Sequence, residues 1–144
     1  KTYGYYEEEP DLSCEGSLSW TDVQGGATVE GSFIVENIGD AGTLLDWEIS
    51  EYPTWGTWSF DPDSGTDLEE GDTVTIDVEV VAPDEPEETF SGEIKIINSG
   101  NVSDFCIIDV SLATPVSQQS LILQFLELFA QRFPILGMIL AALF

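Results

Sequence analysis

The stretch 73–81 alternates apolar and polar residues without a break: Val74, Ile76, Val78 and Val80 against Thr73, Thr75, Asp77 and Glu79. A period of two over nine positions fits an extended strand with one face buried, and no helix can sort these residues onto two sides. The same pattern recurs along the middle of the chain. Residues 28–36 put Val29, Phe33 and Val35 on one face and Glu30, Ser32 and Glu36 on the other. Residues 44–50 set Leu45, Trp47 and Ile49 against Asp46 and Glu48, and residues 104–112 align Cys106, Ile108, Val110 and Leu112. Residues 17–20 and 90–97 read as further short strands. Gly, Asp, Asn and Pro punctuate these runs, as in the turn cluster Asn37 to Gly42 and the Pro-broken acidic loop Pro83 to Glu88. Roughly seven short strands with a turn about every ten residues predict an immunoglobulin-like β-sandwich. Three zones follow: an acidic, Tyr-rich tail over 1–11, the sandwich over 12–115, and an apolar C-terminal helix over 116–144.

Charge narrows the partners. The chain carries 28 acidic residues against three basic ones, Lys1, Lys95 and Arg132, for a net charge of −25. Nucleic acid is excluded as a partner, because its recognition needs clustered Lys and Arg to displace counterions from phosphate. Anionic lipid surfaces are disfavoured for the same reason. Acidity often marks disorder, yet 42% of residues are hydrophobic, with four Trp and eight Phe, enough for a core. The strand acids need only be the solvated face of half-buried sheets, where they also discourage edge-to-edge aggregation.

Cys14 and Cys106 flank nearly the whole periodic region. They are either two buried thiols or a disulfide. An immunoglobulin-like topology lays the first and last strands side by side, which favours the bridge. A chain that opens at Lys1 rather than Met is expected to be a processed, secreted product, where disulfides persist. Asn101-Val102-Ser103 is a glycosylation acceptor triplet. Together these predict a secreted or cell-surface glycoprotein.

Local motifs resemble a known family. Gly31-Ser32-Phe33-Ile34-Val35-Glu36-Asn37-Ile38-Gly39 resembles the strand-and-turn opening of bacterial and archaeal surface immunoglobulin-like domains. Trp58-Ser59-Phe60-Asp61-Pro62-Asp63-Ser64-Gly65, followed by Gly71-Asp72-Thr73-Val74-Thr75-Ile76, is similar to a stretch of BACON-like domains, and Phe90-Ser91-Gly92-Glu93-Ile94-Lys95-Ile96 to their later strand. The likeness spans about residues 16–112 and leaves out the C-terminal segment. It implies a sandwich displayed at a cell surface, in a family often found in tandem and sometimes linked to carbohydrate or mucin binding. Turn and strand motifs speak to fold more than to function.

The C-terminal zone has its own logic. Residues 117–133 read as an amphipathic helix, capped by Ser117 or Ser120, with Leu121, Ile122, Phe125, Leu126, Leu128, Phe129 and Phe133 apolar and Gln124, Glu127 and Gln131 in a polar stripe. Pro134 should kink it, and Ile135, Leu136, Ile139 and Leu140 belong to the wholly apolar end. Three readings stay open. A membrane anchor is one: residues 121–144 make roughly 36 Å of helix, enough to span a bilayer, but Glu127 and Arg132 would be costly within it. Packing on the chain's own sandwich is another. Self-association is favoured, with helices of many copies bundled inside, acidic domains outside, and Glu127 paired with Arg132 between subunits to set register. That layout is similar to type IV pilins, whose helix is N-terminal instead. Residues 2–6 could add as a strand to a neighbour's sheet or lie on their own domain.

The chemistry available is limited. With no His in the chain, Ser-His and Cys-His nucleophilic systems and His metal sites are excluded. Paired carboxylates suit glycoside hydrolysis only within a formed pocket, and a non-enzyme is expected. The loop Asp61 to Asp72 is the candidate cation site: Asp61, Asp63, Asp67 and Asp72 offer hard oxygen ligands suited to calcium, though ordinary solvated turn acids serve as well. Tyr52, Trp55 and Trp58 could form a sugar-stacking face, with Tyr52 and Trp55 exposed and Trp47 and Trp58 in the core. The expected function is a structural subunit of an extracellular homopolymeric filament. The alternative is a membrane-anchored surface module binding carbohydrate or protein.

Overall fold

The computed structural model describes residues 7–116 and 125–129. Among the described residues there are nine strands: β1 (Leu12–Glu15), β2 (Leu18–Trp20), β3 (Thr28–Asn37), β4 (Leu44–Glu51), β5 (Thr57–Asp61), β6 (Ser64–Glu69), β7 (Thr73–Val81), β8 (Thr89–Asn98) and β9 (Asn101–Ala113). They form one four-stranded sheet in the order β1-β3-β7-β5 and one five-stranded sheet in the order β2-β9-β8-β4-β6. This is the ABED-against-GFC layering of immunoglobulin-like sandwiches, with β2 and β6 added at the two edges of the second sheet.

The predicted inward faces are the buried ones. Phe33, Val35, Leu45, Trp47, Ile76, Val78, Ile94, Ile96, Ile108 and Val110 fill the space between the sheets. Trp47 lies flat against β6, where a side chain in place of Gly65 would put its Cβ 2.6 Å from the Trp47 indole nitrogen. A second cluster at one end joins Val23, Val80, Ala82 and Leu112 to Trp20, Trp55, Trp58 and Phe90.

The first strand changes sheets. β1 pairs antiparallel with β3, and β2 pairs parallel with β9. Between them Gly16 takes a φ of 131°, open to glycine and strained for other residues. The switch brings β1 alongside β9, and Cys14 is bonded to Cys106 across the two sheets, with Cα atoms 6.1 Å apart.

Two strands exceed the sequence expectation on the far side. The stretch 61–72, read as a candidate cation loop or an ordinary acidic turn, runs from the last residue of β5 through a cis Asp61–Pro62 turn into strand β6. β6 has one buried apolar residue, Leu68, so its alternation is too faint to see beside its acids. The helix expected over 117–133 is described only over 125–129. Among the described residues, no helix is long and apolar enough to cross a membrane. The kink at Pro134, the assembly residues Leu121, Ile122, Phe133, Ile135, Leu136, Ile139 and Leu140, Arg132, and the tail over 1–6 lie outside the described residues.

Candidate functional site

The strand β4 ends at Glu51, and the chain then crosses from one sheet to the other. Pro53 is buried against Gly92, which is small enough to admit it. At Gly56 the φ is 74°, and a Cβ there would meet the Val81 carbonyl at 2.9 Å. β5 follows along the edge of the four-stranded sheet, paired with β7. Its alternation aims Trp58 and Phe60 between the sheets. β6 then returns to pair with β4. The segment thus closes one long side of the sandwich with aromatic side chains.

These rings touch in sequence. Trp58 and Phe60 stack at 5.9 Å and 14°, and Tyr52 leans on Phe60 at 5.5 Å and 59°. Trp55 meets Trp58 edge-on at 5.3 Å and packs on Phe90 at 5.4 Å. The Trp58 indole N–H donates to the Trp55 carbonyl at 2.7 Å, and the Trp55 indole N–H to the Ser91 carbonyl at 2.9 Å. Trp55 is therefore half-buried and anchored, a correction to its expected role as an exposed stacking ring. Tyr52 is the open one, at 52% exposure. Tyr52, Trp58 and Phe60 line a cleft of about 390 Å³ whose other walls include Glu48, Ile49, Asp63 and Ser64. Glu48 and Asp63 are not signalled by sequence, where they read as solvated acids of a strand face and a turn.

The opposite side is acidic. Glu9, Asp11, Asp40, Asn101 and Asp104 border a second cleft of about 370 Å³. Asp104 accepts from the Leu12 N–H at 3.0 Å and from the Asn98 amide at 3.2 Å, which ties β1 to the β8–β9 hairpin. Partial burial raises the Asp11 carboxyl above the usual carboxylate range, and the neighbouring Asp104 charge and their hydrogen bond push it further the same way. Asn37 organises this end. Its side-chain oxygen accepts from the Asp11 and Gly39 N–H groups at 3.1 and 2.9 Å, and its amide donates to the Leu68 carbonyl at 3.0 Å. Sequence reading placed Asn37 only at a turn; a fully buried Asn with partners on three segments is a tertiary feature.

The four proposed calcium ligands are not gathered. Asp61 pairs across strands with Asp77, Asp63 borders the aromatic cleft, the N–H of Asp67 on β6 donates to the Asp46 carboxylate, and Asp72 precedes β7. Among the described residues, no three His, Cys, Asp or Glu side chains are placed to hold a metal ion. The β5–β6 strands spread the acids that linear spacing seemed to concentrate. Asn101 lies exposed at the start of β9, its side-chain oxygen accepting from the Ser103 N–H at 3.2 Å. Glu127 is exposed within 125–129.

No protein-family model matches the sequence, and no curated protein does. The BACON-like resemblance thus has no family match beneath it, and the likeness that exists is one of fold. The PapD-like domain 7 of human CEP192 superposes with a TM-score of 0.54 at 14% identity, covering 75% of this chain and 87% of that one. A protein of unknown function from Porphyromonas gingivalis matches with a TM-score of 0.52 at 14% identity, over 74% of this chain and 47% of that one. This chain spans about half the length of that second protein. A further likeness, to the secreted serine protease VesC of Vibrio cholerae, reaches a TM-score of 0.49 at 10% identity over 23% of that chain, too little to bear on activity. The chain is a mainly β protein of two sheets with an immunoglobulin-like, PapD-like fold, stapled by a disulfide of the kind found outside reducing compartments.

Proposed function

We propose that this chain is a structural subunit of an extracellular homopolymeric filament, with acidic sandwiches outside and the apolar C-terminal segment as the assembly core. The observation that carries the reading is the described helical turn. Phe125, Leu126 and Leu128 are 63%, 50% and 61% exposed, while the sandwich has already buried its own core. Apolar side chains grouped in this way mark an association surface. The outer face of the four-stranded sheet offers them little: Glu30 stands directly across from Glu79, and Asp61 from Asp77, on β3, β7 and β5. Those acids suit a solvated exterior and suppress lateral clumping. A glycan on the exposed Asn101 would lie on the same exterior. In this reading the protein has no catalytic task, in keeping with a sequence without His.

A second reading, a membrane-anchored surface module with a ligand site, draws on the aromatic cleft at Tyr52. Electron microscopy of the full-length chain beside a truncation after Pro115 separates the two. Regular filaments from the first and monomers from the second are expected. Discrete particles from both, with detergent needed only by the full-length chain, would replace the filament by the anchored module.

A further inference from the structure

The two sheets present different outer faces. On the four-stranded sheet acid stands opposite acid, and a second copy with the same net charge of −25 is repelled there. On the five-stranded sheet, the cross-strand pairs near the β8–β9 hairpin are Ile97 with Phe105 and Lys95 with Ile107. Ile94, Ile96 and Ile108 fill the core, so alternation turns those four side chains outward. Phe105 is 48% exposed, and neither it nor Ile97 nor Ile107 belongs to a buried cluster. Lys95 is the only cation among the described residues. Its ammonium rests over the Phe105 ring at 4.5 Å. An apolar patch that holds one positive charge fits an apolar partner that carries one negative charge.

The helical turn at 125–129 has that composition with the sign reversed. Phe125, Leu126 and Leu128 are exposed around a single carboxylate, Glu127, which is exposed as well. Phe125 stacks on Phe129 at 6.0 Å, which keeps the turn's rings together. We propose that this turn of one copy docks on the patch formed by Ile97, Phe105 and Ile107 of the next copy, with Glu127 paired to Lys95. The contact removes apolar surface from water on both sides, and the one ion pair sets its register. Each copy then has one donor turn and one acceptor patch, a heterologous contact that propagates as an open chain. It also orients the sandwich, with the five-stranded sheet toward the assembly core and the acidic four-stranded sheet outward. The inference rests on the filament reading and deepens it. Glu127 gains a partner on the neighbour's sheet in place of the Arg132 expected from sequence.

The test is carbodiimide coupling of the full-length chain, assembled from an equal mixture of unlabelled and heavy-isotope-labelled copies. Mass spectrometry then reads which carboxylate is joined to Lys95. A Lys95–Glu127 amide that links light chains to heavy ones is expected. The same amide confined to chains of one isotope would put the turn on its own sandwich and overturn the contact between copies. Regular filaments in which Lys95 couples only to other carboxylates, or to none, would overturn the contact and leave the filament reading standing. Discrete particles without a light-to-heavy link would overturn the filament reading and this contact with it. A charge exchange checks the pair through assembly itself. Lys95→Glu should raise the protein concentration needed for filaments about fivefold or more. Adding Glu127→Lys should return that concentration to within about twofold of the unaltered chain. Failure of the exchange to restore assembly would overturn the pairing. An unchanged melting transition verifies that Lys95→Glu keeps the fold.

Discussion

Along one side of the sandwich β1 and β9 are joined by the Cys14–Cys106 disulfide; along the other, β4 and β5 meet through Tyr52, Trp58 and Phe60. The covalent side is packed with like charge. Glu9, Asp11, Asp40 and Asp104 border one small cleft there. The aromatic side has no such bond, and burial of large rings holds it closed. The contrast teaches where each liability can sit. Acids can crowd where a crosslink limits separation of the strands, whereas a cleft with exposed ring surface can persist where packing around it is deep.

If that is right, the largest loss of stability comes from opening the covalent side. The bridge spans a sequence separation of 92, and a loop of that size contributes on the order of 4 kcal/mol in the chain-entropy account. Cys14→Ser with Cys106→Ser should lose about that much in urea denaturation, with the acids at Asp11 and Asp104 then free to drive β1 away. A loss below about 1 kcal/mol would mean that the β1–β3 ladder alone secures this edge and that the crosslink is not what permits the acid cluster.

The aromatic side ranks next. Trp58 contacts Trp20, Trp55 and Phe60, and its removal leaves a void between the sheets. Trp58→Ala should cost about 3 kcal/mol, at the low end for a Trp because the side chain is only half-buried. Combined with the double serine change, the two losses should add within about 0.5 kcal/mol, as expected of sites that share no direct partner. A larger coupling in the triple variant would show that the two sides hold each other and are not separate devices.

Much of the frame was legible from residue order. The alternations at 28–36, 44–50, 73–81, 90–97 and 104–112 fall within β3, β4, β7, β8 and β9, because each turns one face toward the core and has a strong apolar–polar contrast. The disulfide was legible because the first and last strands of this topology adjoin. The stretch from Asp61 to Asp72 was not. Pro62 interrupts it, Leu68 alone is buried on β6, and its acids imitate a ligand loop. Of the cleft, Tyr52 and Trp58 could be singled out by type, but Glu48 and Asp63 could not, since an exposed strand or turn acid carries no local mark of the cleft it borders. Trp55 misled for a related reason: its indole partner, the Ser91 carbonyl, is 36 residues away and leaves no local mark.

The smallest effect concerns the acid pair that the covalent side tolerates. Burial first, and Asp104 second, raise the Asp11 carboxyl from its ordinary value of 3.8. A group that binds its proton more tightly in the folded state adds stability below its unfolded value and loses it as pH rises through the folded one. At neutral pH the ionised Asp11 is therefore a cost. Asp11→Asn removes that charge and keeps the backbone N–H that donates to Asn37. It should stabilise the chain at neutral pH by less than about 1 kcal/mol, because an exposed carboxylate is screened by solvent. The gain should shrink as pH falls and vanish below the unfolded value. Asp104→Asn should bring no such gain, since Asp104 accepts from both Leu12 and Asn98 and the weaker acceptor offsets the lost repulsion. Melting curves of the two variants from neutral to acid pH decide it. A gain from Asp104→Asn and a loss from Asp11→Asn would reverse the roles assigned within the pair, making Asp11 the carboxylate that anchors β1.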